Sequence, residues 1–167
     1  LWGGTIGDLG WKKIVLGGHD YLGEAFQDFQ RKIKSLKNKG VQLAIISKND
    51  EKTALEAFDK NKEMILKKED FAAWRINWND KAQNLLEITK ELNLDPDSSV
   101  FIDDNVNERN RIKTAIPEVF VPDLPEDPSF YVDTLSRLNC FNMSYFTKED
   151  KLRRQDARKS SSTYMKK

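Results

Sequence analysis

Cysteine and histidine are almost missing from this chain: Cys140 and His19 stand alone among 167 residues. A single cysteine excludes an internal disulfide framework and points to a reducing, cytosolic setting. Beside Leu138 and Phe141 it reads as a small buried hydrophobe rather than a nucleophile. His19 sits in a glycine-rich stretch and reads as a surface residue, not a catalytic one. An excess of either charge is lacking too. Lys and Arg number 28 against 27 Asp and Glu, and a net charge of +1 gives no general drive towards nucleic acid or membrane. No apolar run approaches the length of a membrane span, and no signal-peptide pattern opens at Leu1. The expectation is a cytoplasmic protein with neither nucleic acid nor membrane as partner.

What is present is a chain long enough for one domain with a real core. Hydrophobic residues make up 38% and charged ones 33%, which implies a heavily charged surface around that core. The segment Leu1–Gly10 carries four glycines and a tryptophan, which is loop chemistry. It could wrap a ligand or serve as a plain linker. With no strand or start methionine before it, the expectation is that something upstream is missing.

Apolar spacing predicts a helix from Gly23 to Lys39. Phe26, Phe29, Ile33 and Leu36 line one face, Lys and Gln the other, and Gly40 ends it. Val41–Ile46 reads as a buried strand, followed by Ser47-Lys48-Asn49-Asp50, where Asp50 or Asn49 can cap a helix over Glu51–Lys60. Met64–Leu66 reads as a short strand. Phe71–Trp78 is aromatic-rich and follows no clear period, with Trp74 and Trp78 expected in the core or a pocket wall. Asn79 or Asp80 opens a helix to Leu92. Lys81 lies in its first turn, the wrong end for a cation by the helix dipole, so it is either merely exposed or held there for a task. Val100–Ile102 and Val119–Val121 read as short strands, with a helix from Val106 to Ala115 between them, capped by Asn105. A further helix is expected over Phe130–Leu138. Strands alternating with helices imply an α/β fold, a doubly wound and mostly parallel sheet. Residues 1–146 form its core, and 147–167 a basic helix or tail opened by the capping signature Thr147-Lys148-Glu149-Asp150.

The most informative stretch is Val100-Phe101-Ile102-Asp103-Asp104-Asn105, where an apolar strand stops at two adjacent carboxylates. In open α/β sheets ligands sit at that end, and paired hard oxygens suit Mg²⁺. An acidic turn with one solvated cap is the plainer reading. On a parallel sheet Ser47-Lys48-Asn49, Lys81 and Asp103-Asp104 can converge at one rim. A hydroxyl, an ammonium and two carboxylates there are what phosphoryl chemistry needs. Ser47 would hold phosphate oxygens, Lys81 would neutralise charge, and Lys48 and Asn49 would contact substrate, although capping alone accounts for Asn49. Asp103, first off the strand, reads as the direct metal ligand, with Asp104 acting through water or orienting its neighbours. Glu108 could join the site or pair with a nearby cation.

Ser47 after a strand, Lys81 at a helix start and Asp103-Asp104 after a later strand resemble three motifs of the haloacid-dehalogenase (HAD) superfamily. Leu1-Trp2-Gly3-Gly4, Phe29-Gln30, Leu43-Ala44-Ile45-Ile46-Ser47-Lys48-Asn49, Asn77-Trp78-x-x-Lys81, Phe101-Ile102-Asp103-Asp104-Asn105-x-x-Glu108-Arg109 and Thr147-x-Glu149-Asp150 narrow the resemblance to its FkbH-like subfamily. The resemblance implies a HAD-like Rossmannoid three-layer sandwich and Mg²⁺ as cofactor, with catalytic roles for Ser47 and Lys81 and metal ligation by Asp103 and Asp104. It implies loading of a glyceryl-type three-carbon unit from a phosphorylated donor, 1,3-bisphosphoglycerate, onto an acyl carrier protein. A small-molecule phosphatase using the same site, or a non-catalytic phosphate-binding module, are the alternatives. The family's nucleophile and acid/base belong to an Asp-x-Asp-x-Thr motif on a central first strand immediately before Leu-Trp-Gly-Gly. That motif is absent from residues 1–167, so the sheet is expected to lack its central strand.

Overall fold

The computed structural model describes residues 1–4, 6, 10–18 and 20–141. His19 and the helix expected from Thr147 lie outside them. Leu1–Arg137 form one unit and Leu138–Lys167 another, and the first carries the fold.

Its elements alternate as α1 (Tyr21–Asn38), β1 (Leu43–Ser47), α2 (Glu51–Lys60), β2 (Phe71–Ile76), α3 (Lys81–Glu91), α4 (Val106–Ala115) and α5 (Tyr131–Ser136). Each of the first four helices begins at a side chain able to accept from its free N–H groups. Asp20 accepts from Gly23, Asp50 from Thr53, Asp80 from Ala82 and Asn105 from Asn107. Gly40, just past α1, takes a φ of 102°, where a Cβ would be strained. Asp50, not Asn49, is the cap of α2.

β1 and β2 pair in parallel, with Ala44 opposite Ala73 and Ser47 opposite Ile76 after an irregularity at Leu43. β2 occupies the aromatic stretch that has no clear sequence period. Val100–Ile102 and Val119–Val121 are not full strands. They meet through one parallel bridge, Val100 to Phe120, with the Phe101 N–H donating to the Phe120 carbonyl at 2.9 Å. Among the described residues no backbone hydrogen bond joins β1 to the Val100–Ile102 segment. Strand pairing among the described residues is therefore in two parts, β1 with β2 and Val100 with Phe120. β1 is less buried than its apolar run suggests: Leu43 is buried, but Ala44 is exposed and Ile45 to Ser47 are half-buried.

Met64–Leu66 is not a strand. The Met64 N–H donates to the Asn61 carbonyl at 3.2 Å, and the next two are satisfied by a side chain: the Ile65 and Leu66 amides donate to Gln30 Oε1 at 3.0 and 3.1 Å. Gln30 is fully buried, against the expectation that glutamine lies on the solvent face of α1. Its Nε2 donates to the Leu1 carbonyl at 2.9 Å and to Met64 Sδ at 3.2 Å. Every polar group of the amide is thereby paired, as burial demands.

Under the sheet, Ala82, Leu85, Phe101, Ile112, Ile116, Val119 and Val121 form one apolar cluster, with Ile46 against it. Each large side chain buried there stabilises the fold by about 1.5–3 kcal/mol. The cluster fixes α3 and α4 beside one another. Edge-on rings link Trp2 to Phe58 and Phe58 to Phe71, and Tyr131 packs edge-on against Phe26 and Phe29. Cys140 is exposed, not a buried hydrophobe. Among the described residues no helix is long and apolar enough to cross a membrane.

Candidate phosphate and metal site

The turn after Ile102 is held from three directions. Lys81, the first residue of α3, places Nζ 2.6 Å from Asp103 Oδ2. Their side chains are only 12% and 8% exposed, so this contact is shielded from water. The other carboxylate oxygen, Oδ1, accepts the Asn105 N–H at 2.9 Å. Both oxygens of Asp103 are thus engaged. Arg109, buried in the first turns of α4, donates from one terminal nitrogen to the carbonyls of Asp103 and Asp104, at 2.9 and 3.1 Å. Asp104 itself is exposed, and its carboxylate makes no hydrogen bond or ion pair among the described residues. The open carboxylate is therefore Asp104 rather than Asp103.

β1 ends at Ser47. Its Oγ accepts from Asn49 Nδ2 at 3.3 Å, which leaves the hydroxyl proton free to point elsewhere. Its carbonyl accepts the Asn77 N–H at 3.0 Å. Lys48 reaches across to α4 and pairs with Glu108 at 2.9 Å. Glu108 is thus a partner of a cation, the plainer of its two readings. Asp80 ties the β2–α3 turn to α4 through Arg111 at 2.7 Å. That hydrogen bond, with the charge of Lys48 adding to it, holds the Asp80 carboxyl below the usual carboxylate range. Side chains, not a ladder, join the two halves of this rim.

Tyr131 feels the charges of this turn: burial foremost, then Asp104, raise its phenol pKa, and Arg109 opposes them.

Two contributors escape a sequence reading. Asn84, 1% exposed, exchanges hydrogen bonds with Asn77, whose Oδ1 also accepts the Asn79 N–H. This pair shapes the turn that delivers Lys81. Arg109 is the other. Asn84 is paired through a buried amide and Arg109 through the carbonyls of its own turn, and only the sequence Glu108-Arg109 hinted at either. Trp78, on the same turn, is 73% exposed rather than in the core, and Trp74 is half-buried.

No protein-family model and no curated protein matches the chain. A solved structure does: the N-terminal part of protein BF1531 from Bacteroides fragilis, which contains a phosphatase domain and is complexed with Mg. It is 46% identical, with a TM-score of 0.83, over 87% of this chain and 39% of that one. This chain thus spans well under half the length of that relative. At that identity and superposition the two share an α/β, HAD-like fold.

Proposed function

We propose that this rim is a Mg²⁺-dependent phosphate site of the HAD type, a phosphatase centre acting on a phosphorylated small molecule. In its finer form it serves FkbH-like loading of a glyceryl-type three-carbon unit from 1,3-bisphosphoglycerate onto an acyl carrier protein. The observation that carries the reading is the shielded Lys81–Asp103 contact with the open Asp104 carboxylate next to it. Kinship with a Mg-bound, phosphatase-containing protein supports it.

The donor set fits the metal. Mg²⁺ typically takes one or two carboxylates, keeps several waters and shares phosphate oxygens. Asp103 and Asp104 supply two adjacent carboxylates, and among the described residues no group of three or more acidic, His or Cys side chains forms a fuller cage. Asp104 would bind directly, and Asp103 would join it while held by Lys81. A bound Mg²⁺ supplies charge neutralisation for phosphate oxygens. The chain's own residues do the rest. The Ser47 hydroxyl, its oxygen already accepting from Asn49, donates to a phosphate oxygen. Lys81 offsets the negative charge of two neighbouring carboxylates and a phosphate. Lys48 exchanges Glu108 for substrate, with Asn49 beside it.

The nucleophile of this chemistry belongs to the Asp-x-Asp-x-Thr motif that the family places immediately before Leu-Trp-Gly-Gly. The test is to incubate the natural full-length protein with 1,3-bisphosphoglycerate, Mg²⁺ and a holo carrier protein. Release of phosphate with a glyceryl thioester on the carrier, seen by mass spectrometry, is the expected result. Phosphate release alone selects the small-molecule phosphatase, and binding without turnover selects the non-catalytic module. The absence of both binding and turnover refutes the proposal.

A further inference from the structure

We infer that Arg109 is a positioning residue that sets the geometry of the Asp103–Asp104 carboxylates and thereby the preference of the site for Mg²⁺ over larger cations. The inference rests on the metal reading above. The carbonyls of Asp103 and Asp104 fall where the chain has left the Val100–Phe120 bridge and has not yet entered α4. Neither accepts a backbone hydrogen bond among the described residues. One terminal nitrogen of Arg109 reaches both, at 2.9 and 3.1 Å, and so fixes two successive peptide planes. These two planes flank the Asp104 Cα, so fixing them fixes the direction in which the Asp104 side chain leaves the backbone, with Asp103 held by one of the same planes.

Arg109 is itself immobilised. It is 8% exposed, and its amide donates to the carbonyl of the helix-capping Asn105 at 3.0 Å. Its Nε is buried with no partner in the protein. A guanidinium chosen only for stability would pair that group. Leaving it unpaired is consistent with a side chain placed for what its far end holds. Lys81 and the Asn105 N–H already restrain Asp103 through its carboxylate. Asp104 has no such restraint on its carboxylate, so its direction depends on the peptide that Arg109 grips.

Cation selectivity reads this role out. Mg²⁺ demands near-ideal octahedral geometry, whereas Ca²⁺ accepts flexible arrangements. Losing the Arg109 charge strengthens binding of both cations alike by removing repulsion. Losing the geometry weakens Mg²⁺ alone. The ratio of the two affinities therefore separates positioning from charge. Calorimetric titration of the full-length protein with Mg²⁺ and with Ca²⁺ is compared for wild type, Arg109→Met and Arg109→Lys, with circular dichroism confirming the fold.

The expected result is a Mg²⁺:Ca²⁺ affinity ratio at least tenfold lower in Arg109→Met. Arg109→Lys, whose shorter ammonium reaches one carbonyl rather than both, falls between. If Arg109→Met does not fold, Arg109→Lys decides the matter by the same ratio. A folded variant with the wild-type ratio overturns the inference while the metal reading stands. A wild-type protein that binds no Mg²⁺ overturns both.

Discussion

Asp70 offers the most quantitative perturbation, at the end of β2 remote from the site. It is 7% exposed and accepts from Lys34 at 2.9 Å, from Lys37 at 3.0 Å and from the Lys67 N–H at 2.8 Å. Burial alone would raise its pKa. The Lys67 amide and the two ammonium groups outweigh burial and hold it at about 2, below the ordinary 3.8. At about 1.4 kcal/mol per pH unit, that gap stabilises the native state by about 2.5 kcal/mol at neutral pH. Because the folded value is depressed, the contribution is complete above about pH 4 and disappears as pH falls towards 2. About half remains at pH 3. Asp70→Asn keeps the shape and removes the charge. It should lower stability at pH 7 by about 2.5 kcal/mol, and the thermal midpoint by about 5–10 °C for a chain of this size. Urea unfolding of both proteins at pH 7, 5 and 3 measures the difference. A difference below about 0.5 kcal/mol at pH 7, or one that does not shrink between pH 5 and 3, refutes the reasoning. Mg²⁺ affinity should not change, since Asp70 lies at the opposite end of β2 from the rim.

Lys81→Met should cost about 3–5 kcal/mol, because it leaves a carboxylate that is 8% exposed without its cation, and should abolish phosphate release. Denaturant unfolding and a phosphate assay check the two parts separately. Ser47→Ala should lower turnover by about 10²–10³-fold, as loss of one preorganised donor does, with little change in melting temperature. Asn84→Ala should cost about 1–3 kcal/mol by stranding Asn77, while Trp78→Ala, at 73% exposure, should stay within about 0.5 kcal/mol. Chemical denaturation of the two variants side by side tests that contrast.

The elements that sequence resolves are those governed by neighbours in the chain. α2 has its predicted bounds because Asp50 caps it and Lys60 ends its last turn. Lys81 is informative for breaking a local rule: a cation in the first turn of α3 opposes the dipole, and the structure places it on Asp103. β2 is harder to see, since Phe71-Ala72-Ala73-Trp74-Arg75-Ile76 mixes buried, half-buried and exposed positions without a clean alternation. Met64–Leu66 is misleading for the opposite reason. Its apolar run suits a strand, but Gln30, 34 residues from Met64, takes the hydrogen bonds a neighbouring strand would have taken. Within the site, residue types point to phosphate chemistry. Which of Asp103 and Asp104 is held and which stays open depends on which carboxylate Lys81 reaches, and that is a fact of packing.

Gln30 also constrains how this chain can vary. Its amide reads two separate stretches at once, as a donor to Leu1 and Met64 and an acceptor from Ile65 and Leu66. Glutamate has the right outline and the wrong polarity at one end, and leucine has the bulk and no polarity at all. Neither can stand in singly, so drift at this position requires coordinated change in segments distant in the chain. An error in seating α1 would displace the Leu1 and Met64–Leu66 segments together, with no change to any residue in either.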